Sequence, residues 1–228
     1  MREIALDTET TGLSIAAGDR ITEIGCVEIV DKKITGRTFH TYINPEREVS
    51  HEAFKISGLT NDFLKQHRIF KDVYQEFLNF IRQDRLIIHN AQFDISFLNA
   101  ELTNAGGDPI NDRNIVDTLI LAREKYPGSP SSLDALCRRF DIDASNRVKH
   151  GALIDAGLLA QVYIVMSVEI LQRGFFKPEV KETKICEIKK FEVRKFALKE
   201  EERAAHNDLL KKLNNPIWCM YENLNIGK

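Results

Sequence analysis

The sequence contains few cysteines, and no two of them stand at a metal-binding spacing. Four occur in 228 residues without a CxxC motif, so the sequence predicts neither a zinc site nor a disulfide framework. We expect reduced, inert thiols at these positions, which are Cys26, Cys137, Cys186 and Cys219.

Long apolar runs are also absent. No segment approaches the roughly 18 apolar residues that a membrane-spanning helix needs. The opening MREIALDTET lacks the basic and apolar regions of a secretory signal. We therefore expect no membrane partner and a cytoplasmic location.

An excess of positive charge is the third absence. Lysine and arginine number 32 against 34 acidic residues, which gives a net charge of -2. This balance argues against a protein that holds duplex DNA by backbone electrostatics alone. It leaves open a small site that binds the end of a strand. The length and the hydrophobic content of 43% predict one domain with a sizeable core plus an appendage.

Strand and helix patterns alternate along most of the chain. Three strand-like segments come first, and helical periods then alternate with short apolar strands. The predicted strands are 2–9, 20–30, 34–43, 86–90 and 114–119, and the main predicted helices are 70–81, 91–107, 133–140 and 151–171. This order predicts an α/β fold in which a mixed five-stranded sheet, three strands antiparallel and two parallel, is flanked by helices.

The composition changes after Gln172. Residues 173–190 are rich in charge and have little periodicity, which predicts a flexible linker. Residues 191–228 hold a strand-like FEVRKFAL, a helix with acids at its start and lysines at its end, and the single tryptophan, Trp218. We predict a catalytic domain over 1–172, the linker, and a small C-terminal segment.

Two predicted helices carry an acid on their apolar face. Asp94 lies three and four residues before Phe97 and Leu98, and Asp155 has the same relation to another apolar stripe. Burying an unpaired charge is costly, so each carboxylate needs a partner.

Asp7 and Glu9 share a face at the end of the first strand, at the sheet edge where α/β folds bind ligands. Four acids that meet there would repel one another unless divalent cations lie between them. Hard oxygen ligands of this kind favour Mg²⁺ or Mn²⁺ over zinc.

A histidine adds a proton acceptor to this set. Gly151 lets His150 lie in the loop before the helix of Asp155, turned toward the acids. A neutral imidazole there could accept a proton from an attacking water while two cations stabilise the attacking and leaving oxygens of a phosphoryl displacement.

Three motifs, DTETTGL at 7–13, HNAQFD at 89–94 and HGALID at 150–155, resemble those of the DEDD exonucleases whose third motif carries histidine. The resemblance spans residues 1–170. With SSLDALCRRF at 131–140 and EEERAAH at 200–206, it extends to the epsilon family of proofreading exonucleases. It implies a ribonuclease H-like fold and 3′ to 5′ removal of nucleoside 5′-monophosphates from DNA ends.

The resemblance also implies roles for single residues. Asp7, Glu9 and Asp155 would bind metal directly, Asp94 would reach metal mainly through water, and His150 would be the general base. All five are thus predicted catalytic residues.

Further residues are implied in substrate binding. Leu13 would wedge beside the terminal base, and this chain has Ser57 in KISGLT where some relatives have a histidine. The full predicted substrate set is Asp7, Glu9, Thr10, Leu13, Ser57, His150 and Asp155.

Neighbouring polar residues have simpler interpretations. We predict that His89 and Asn90 organise a strand-to-helix turn, that Asp117 caps the helix after it, and that Asp134 lies on the surface.

Two segments outside the catalytic domain suggest partners. QRGFF at 172–176 loosely resembles a sliding-clamp peptide, and a helix end whose phenylalanines fold back on the core is an equal alternative. The segment from Phe191 to Trp218 resembles the family's polymerase-binding tail. The resemblance therefore implies the 3′ end of single-stranded DNA, the catalytic alpha subunit of DNA polymerase III, and a theta-type subunit as further candidates.

Two other functions remain open. One is a free-standing exonuclease that acts on RNA or single-stranded DNA ends without a polymerase. The other is a non-catalytic subunit that stabilises a polymerase, and the complete set of acids with His150 argues against it.

Overall fold

A mixed sheet of five strands forms the centre of the fold. The computed structural model describes residues 1–110, 114–145, 149–175 and 199–212, with backbone only for 169–175. The strands lie in the order β3-β2-β1-β4-β5. They are β1 (Arg2–Thr10), β2 (Ile21–Val30), β3 (Lys33–Tyr42), β4 (Arg85–Ile88) and β5 (Ile115–Asp117).

The first three strands pair antiparallel, and β4 joins β1 and β5 in parallel. This arrangement confirms the predicted fold class. Because β1, β4 and β5 run in the same direction, their carboxyl ends meet at one edge of the sheet. The first motif begins near the end of β1 and the second directly follows β4, whereas the third lies at the start of α7.

Helices cover both faces of the sheet within residues 1–175. The helices of this unit are α1 (His51–Ser57), α2 (Asn61–Leu64), α3 (Phe70–Ile81), α4 (Ala91–Ala105), α5 (Thr118–Lys125), α6 (Leu133–Arg139) and α7 (Ala152–Phe175). The apolar stripe predicted over 70–81 is α3, whose Phe70, Val73, Phe77 and Ile81 are buried.

The alternation of β1 divides the core into two layers. Ile4 and Leu6 point to a cluster shared with α3 and α4, whereas Ala5 points to a cluster shared with α6 and α7. A strand that is buried on both faces explains why so little of β1 reaches solvent.

A glycine brings the start of α7 close to the sheet. A Cβ placed on Gly25 would lie 2.2 Å from the backbone carbon of Ala152 and 2.3 Å from the nitrogen of Leu153. Only a residue without a side chain lets β2 and the first turn of α7 approach this closely. This contact positions the segment that carries the third motif.

The described residues belong to two compact units, with 1–175 in one and 199–212 in the other. The second unit contributes α8 (Glu200–Lys212), which has acids in its first turn and lysines in its last, as predicted. The predicted linker beyond Phe175, the FEVRKFAL strand and Trp218 lie outside the described residues. None of the helices that the structure describes is long and apolar enough to cross a membrane.

Candidate active site

A cavity of about 310 Å³ lies at the carboxyl edge of β1 and β4. It brings together all five predicted catalytic residues, which come from β1, α4, the loop before α7 and the first turn of α7. Its lining residues are Asp7, Thr8, Glu9, His89, Asn90, Phe93, Asp94, Ser132, Leu133, Asp134, His150 and Asp155.

Among the residues that the structure describes, three of these side chains form a group that could hold a metal ion. One ligand atom each from Glu9, His150 and Asp155 lies within 4.8 Å of the other two. Asp7 lines the same cavity but stands outside this group. Oxygen-rich clusters of this size suit a divalent cation.

Asp94 approaches the cavity from the other face of the sheet. Its Oδ1 accepts hydrogen bonds from the Thr8 backbone N–H at 3.0 Å and from the Thr8 hydroxyl at 2.7 Å. Burial nevertheless raises the pKa of the Asp94 carboxyl to about 7, because its charged form is removed from water. The sequence assigned metal as the partner of this acid, and the structure adds Thr8.

The face alternation of β1 explains the division between Asp94 and the other acids. Thr8 lies on the face that packs against α4, while Asp7 and Glu9 lie on the face that packs against α7. Asp94 on α4 therefore bonds to Thr8, and Asp155 on α7 groups with Glu9. The site spans the end of the sheet.

His150 stands in the loop before α7, as predicted, because that helix begins at Ala152. Its Nδ1 lies 3.2 Å from Oδ2 of Asp155, and its backbone N–H donates to the Ile56 carbonyl oxygen at 3.2 Å. The imidazole is therefore oriented by an acid of the site and remains half exposed to solvent.

Comparison with known proteins identifies the family. The Exonuclease family model matches residues 4–163. The chain is 52% identical over 170 residues to DNA polymerase III subunit epsilon of Rickettsia prowazekii (strain Madrid E), which covers 73% of this chain and 74% of that protein. It is 41% identical to the epsilon subunit of Salmonella typhimurium (strain LT2) over 95% of this chain and 97% of that protein. The chain belongs to the DNA polymerase III epsilon-subunit family. It is a 3′ to 5′ exonuclease of the proofreading type.

Solved structures agree with the fold of this epsilon-family chain. Exonuclease X in complex with 5′ overhanging duplex DNA has a TM-score of 0.59 and 26% identity, over 74% of this chain and 91% of that one. The nuclease domain of a DEDDh family member bound to rAMP has a TM-score of 0.64 over 74% and 92% of the two chains. At 18% identity, the second likeness concerns the fold alone.

Three predicted substrate residues of the epsilon-family chain do not line the cavity, namely Thr10, Leu13 and Ser57. Thr10 is buried and donates to the Gly12 carbonyl oxygen at 2.6 Å, while Leu13 is 83% exposed. Ser57 ends α1, where its hydroxyl donates to the Ala53 carbonyl oxygen at 3.1 Å. Their contact with a terminal nucleotide stays a prediction.

Asp117 organises the turn beside the second motif. Its carboxylate accepts from Leu119 N–H at 2.8 Å, which confirms that it caps α5. It also accepts from the N–H groups of Asn90 at 3.1 Å and Ala91 at 2.9 Å, at the start of α4. One side chain thus caps two helices, which the sequence did not reveal.

His89 and Asn90 shape the same turn and also line the cavity. Nδ1 of His89 lies 2.9 Å from the Thr118 hydroxyl, and burial lowers the pKa of this imidazole. Asn90 adopts a left-handed conformation with φ of 67°. These contacts support the predicted structural role for the pair.

Sequence reasoning missed several cavity residues. Asp134 is exposed, as predicted, yet it lines the cavity next to Ser132 and Leu133. Phe93 could have been found from its place directly before Asp94 in the second motif. Ser132, Leu133 and Asp134 reach the cavity because the start of α6 packs beside it, and no local sequence pattern predicts this tertiary contact.

Proposed function

We propose that this chain proofreads DNA by hydrolysing the last phosphodiester bond at a 3′ end and releasing a nucleoside 5′-monophosphate. The observation that carries the proposal is the meeting of Asp7, Glu9, Asp94, His150 and Asp155 in one cavity. These residues come from three motifs separated by more than fifty residues in the chain. Replication relatives support the cytoplasm as the working location.

Exonucleases of this family use divalent metal, and the donor set here suits two ions of Mg²⁺ or Mn²⁺. We propose Asp7, Glu9 and Asp155 as direct ligands and Asp94 as a ligand through water. The burial of Asp94 in the same cavity as the other acids supports this assignment, because a nearby cation would stabilise its charged form. Bound ions would stabilise charge on the attacking and leaving oxygens.

His150 acts in this proposal as the general base. Its Nδ1 faces Asp155, which orients the ring and leaves Nε2 as the nitrogen that accepts a proton from water. The half-exposed position keeps this nitrogen reachable. Leu13, Thr10 and Ser57 would hold the terminal nucleotide.

The test is digestion of a 5′-labelled single strand in Mg²⁺ by the full chain and by residues 1–172. We expect single-nucleotide shortening, release of 5′-monophosphates, and complete loss of activity in EDTA. Asp7→Ala should lower turnover by about 10³-fold or more while the chain stays folded, because it removes a metal ligand and relieves charge repulsion. Digestion at the normal rate by this variant would contradict the metal assignment.

We further propose a division of labour along the chain. Residues 1–172 carry out the hydrolysis, and residues 173–190 form a linker. Residues 191–228 bind the catalytic alpha subunit, with Trp218 and the apolar side of α8 as the main contacts. The epsilon-named relatives support association with DNA polymerase III. A pull-down in which 1–172 binds this subunit as tightly as the full chain would contradict the assignment.

A theta-type subunit and the sliding clamp remain further candidate partners. The backbone of residues 172–175 continues α7, which favours the helix-end interpretation of QRGFF over an extended clamp peptide.

A further inference from the structure

The catalytic cavity is strongly acidic. Five aspartate or glutamate side chains line it, and none of the lining residues that the structure describes is a lysine or an arginine. Metal ions can neutralise the scissile phosphate, but the next phosphates of a DNA strand would meet this acidic rim without a cation. A basic residue beside the cavity would therefore contribute to strand binding.

Lys149 stands at that position, directly before His150. Its side chain lies across the end of α1, since a Cβ on Gly58 would be 2.6 Å from Cδ and 2.9 Å from Nζ of Lys149. The ammonium is 5.1 Å from the centroid of the Phe54 ring, within cation–π range. The hydrogen bond from His150 N–H to Ile56 joins the backbone at this position to α1.

The two neighbouring side chains face different surroundings. The imidazole of His150 turns to Asp155 inside the catalytic cavity, while Lys149 turns to Phe54, which lines a separate cavity of about 530 Å³. Among the residues that the structure describes, no carboxylate pairs with Lys149. Its charge remains available to an external anion beside His150.

We propose that Lys149 binds a phosphate of the substrate strand other than the scissile one, without regard to base sequence. This proposal rests on the proposed exonuclease function. The Phe54 ring and the Gly58 backbone limit where the ammonium can lie, so the contact is partly pre-formed. Lys149 is then a substrate-binding residue that this chain adds to the catalytic set.

The experiment compares Lys149→Gln with the wild type on two substrates. One is a single-stranded oligonucleotide, and the other is an aryl ester of thymidine 5′-monophosphate, whose only phosphate is the scissile one. We expect kcat/KM on the oligonucleotide to fall about 5-fold, mainly through KM. A plot of log kcat/KM on the oligonucleotide against the logarithm of the salt concentration should become shallower by about 0.7, the value for one phosphate contact on a single strand. The ratio of the two kcat/KM values should fall by the same 5-fold.

Lys33→Gln is the matched control. Lys33 is exposed at the start of β3, opposite Val30 in the strand register. It lies at the end of the sheet where β1 begins, far from the acids. It should leave both the ratio and the salt slope unchanged.

Equal losses on both substrates would overturn the proposal, because Lys149 would then act through His150. An unchanged ratio and slope would overturn it as well. A wild-type chain that digests neither substrate would instead refute the proposed function.

Discussion

At the scale of single residues, Asp94 shows what burial does to a carboxylate. Two hydrogen bonds from Thr8 support its charged form, yet the loss of water outweighs them and the pKa rises to about 7. The protein therefore holds this carboxyl in a place that disfavours its charged form, which a bound cation would stabilise.

This pKa predicts how the metal-free chain responds to pH. The unfolded Asp94 carboxyl loses its proton near 3.8, and the folded one near 7. Between these values the unfolded state has already released the proton, so stability falls as pH rises through this window. In EDTA, the wild-type Tm should fall between about pH 5 and pH 7.5. Asp94→Asn should remove most of that fall because an amide does not titrate, while its oxygen can still accept the hydrogen bonds from Thr8.

Differential scanning calorimetry on both chains makes the measurement, with Asp62→Asn as the control because Asp62 is exposed on α2 and does not line the catalytic cavity. Parallel Tm curves for the wild type and Asp94→Asn would contradict the assignment of this pH dependence to Asp94.

Residue identities within the site were largely predictable, because the three motifs place their acids at helix and strand periods. The contact of Thr8 with Asp94 was not predictable. It depends on how α4 packs against β1, and sequence spacing carries no information on distances across 86 residues.

At the scale of elements, the close contact between β2 and the start of α7 determines where the third motif lies. Gly25 permits this contact, because a Cβ at this position would lie 2.2 Å from the Ala152 backbone carbon and no side chain could fit. Gly25→Ala should displace the start of α7 and lower kcat about 100-fold, because misplacement of catalytic groups by about 1 Å has this effect.

Gly157→Ala is the control within the same helix. A Cβ there meets nothing within 4 Å, so activity should persist while Tm rises through better helix propensity. Circular dichroism first establishes that both variants fold. If the folded Gly25→Ala variant kept the kcat and the Mn²⁺ affinity of the wild type, the contact between Gly25 and α7 would not position the site.

Hydrophobic periodicity predicted the strands and helices, and most predicted boundaries agree with the structure within two residues. It did not predict that Asp117 caps both α4 and α5. The carboxylate reaches the first turn of α4 because β4 and β5 are adjacent in the sheet, and that adjacency is a tertiary property.

At the scale of the whole molecule, the mixed sheet is what assembles the site. Parallel pairing of β1 with β4 places the ends of two distant segments side by side, and helices on opposite faces then supply Asp94 and Asp155. The fold class was predictable from the order of strand and helix patterns. The distribution of the acids over two faces became visible only with the packing.

We propose above all that these carboxylates form a two-metal centre. Isothermal titration calorimetry with Mn²⁺, in the presence of thymidine 5′-monophosphate, tests it most directly. We predict two ions per wild-type chain and at most one per Asp7→Ala chain, because Asp7 is a proposed direct ligand. No bound ion in the wild type, or two ions in both chains, would contradict the account.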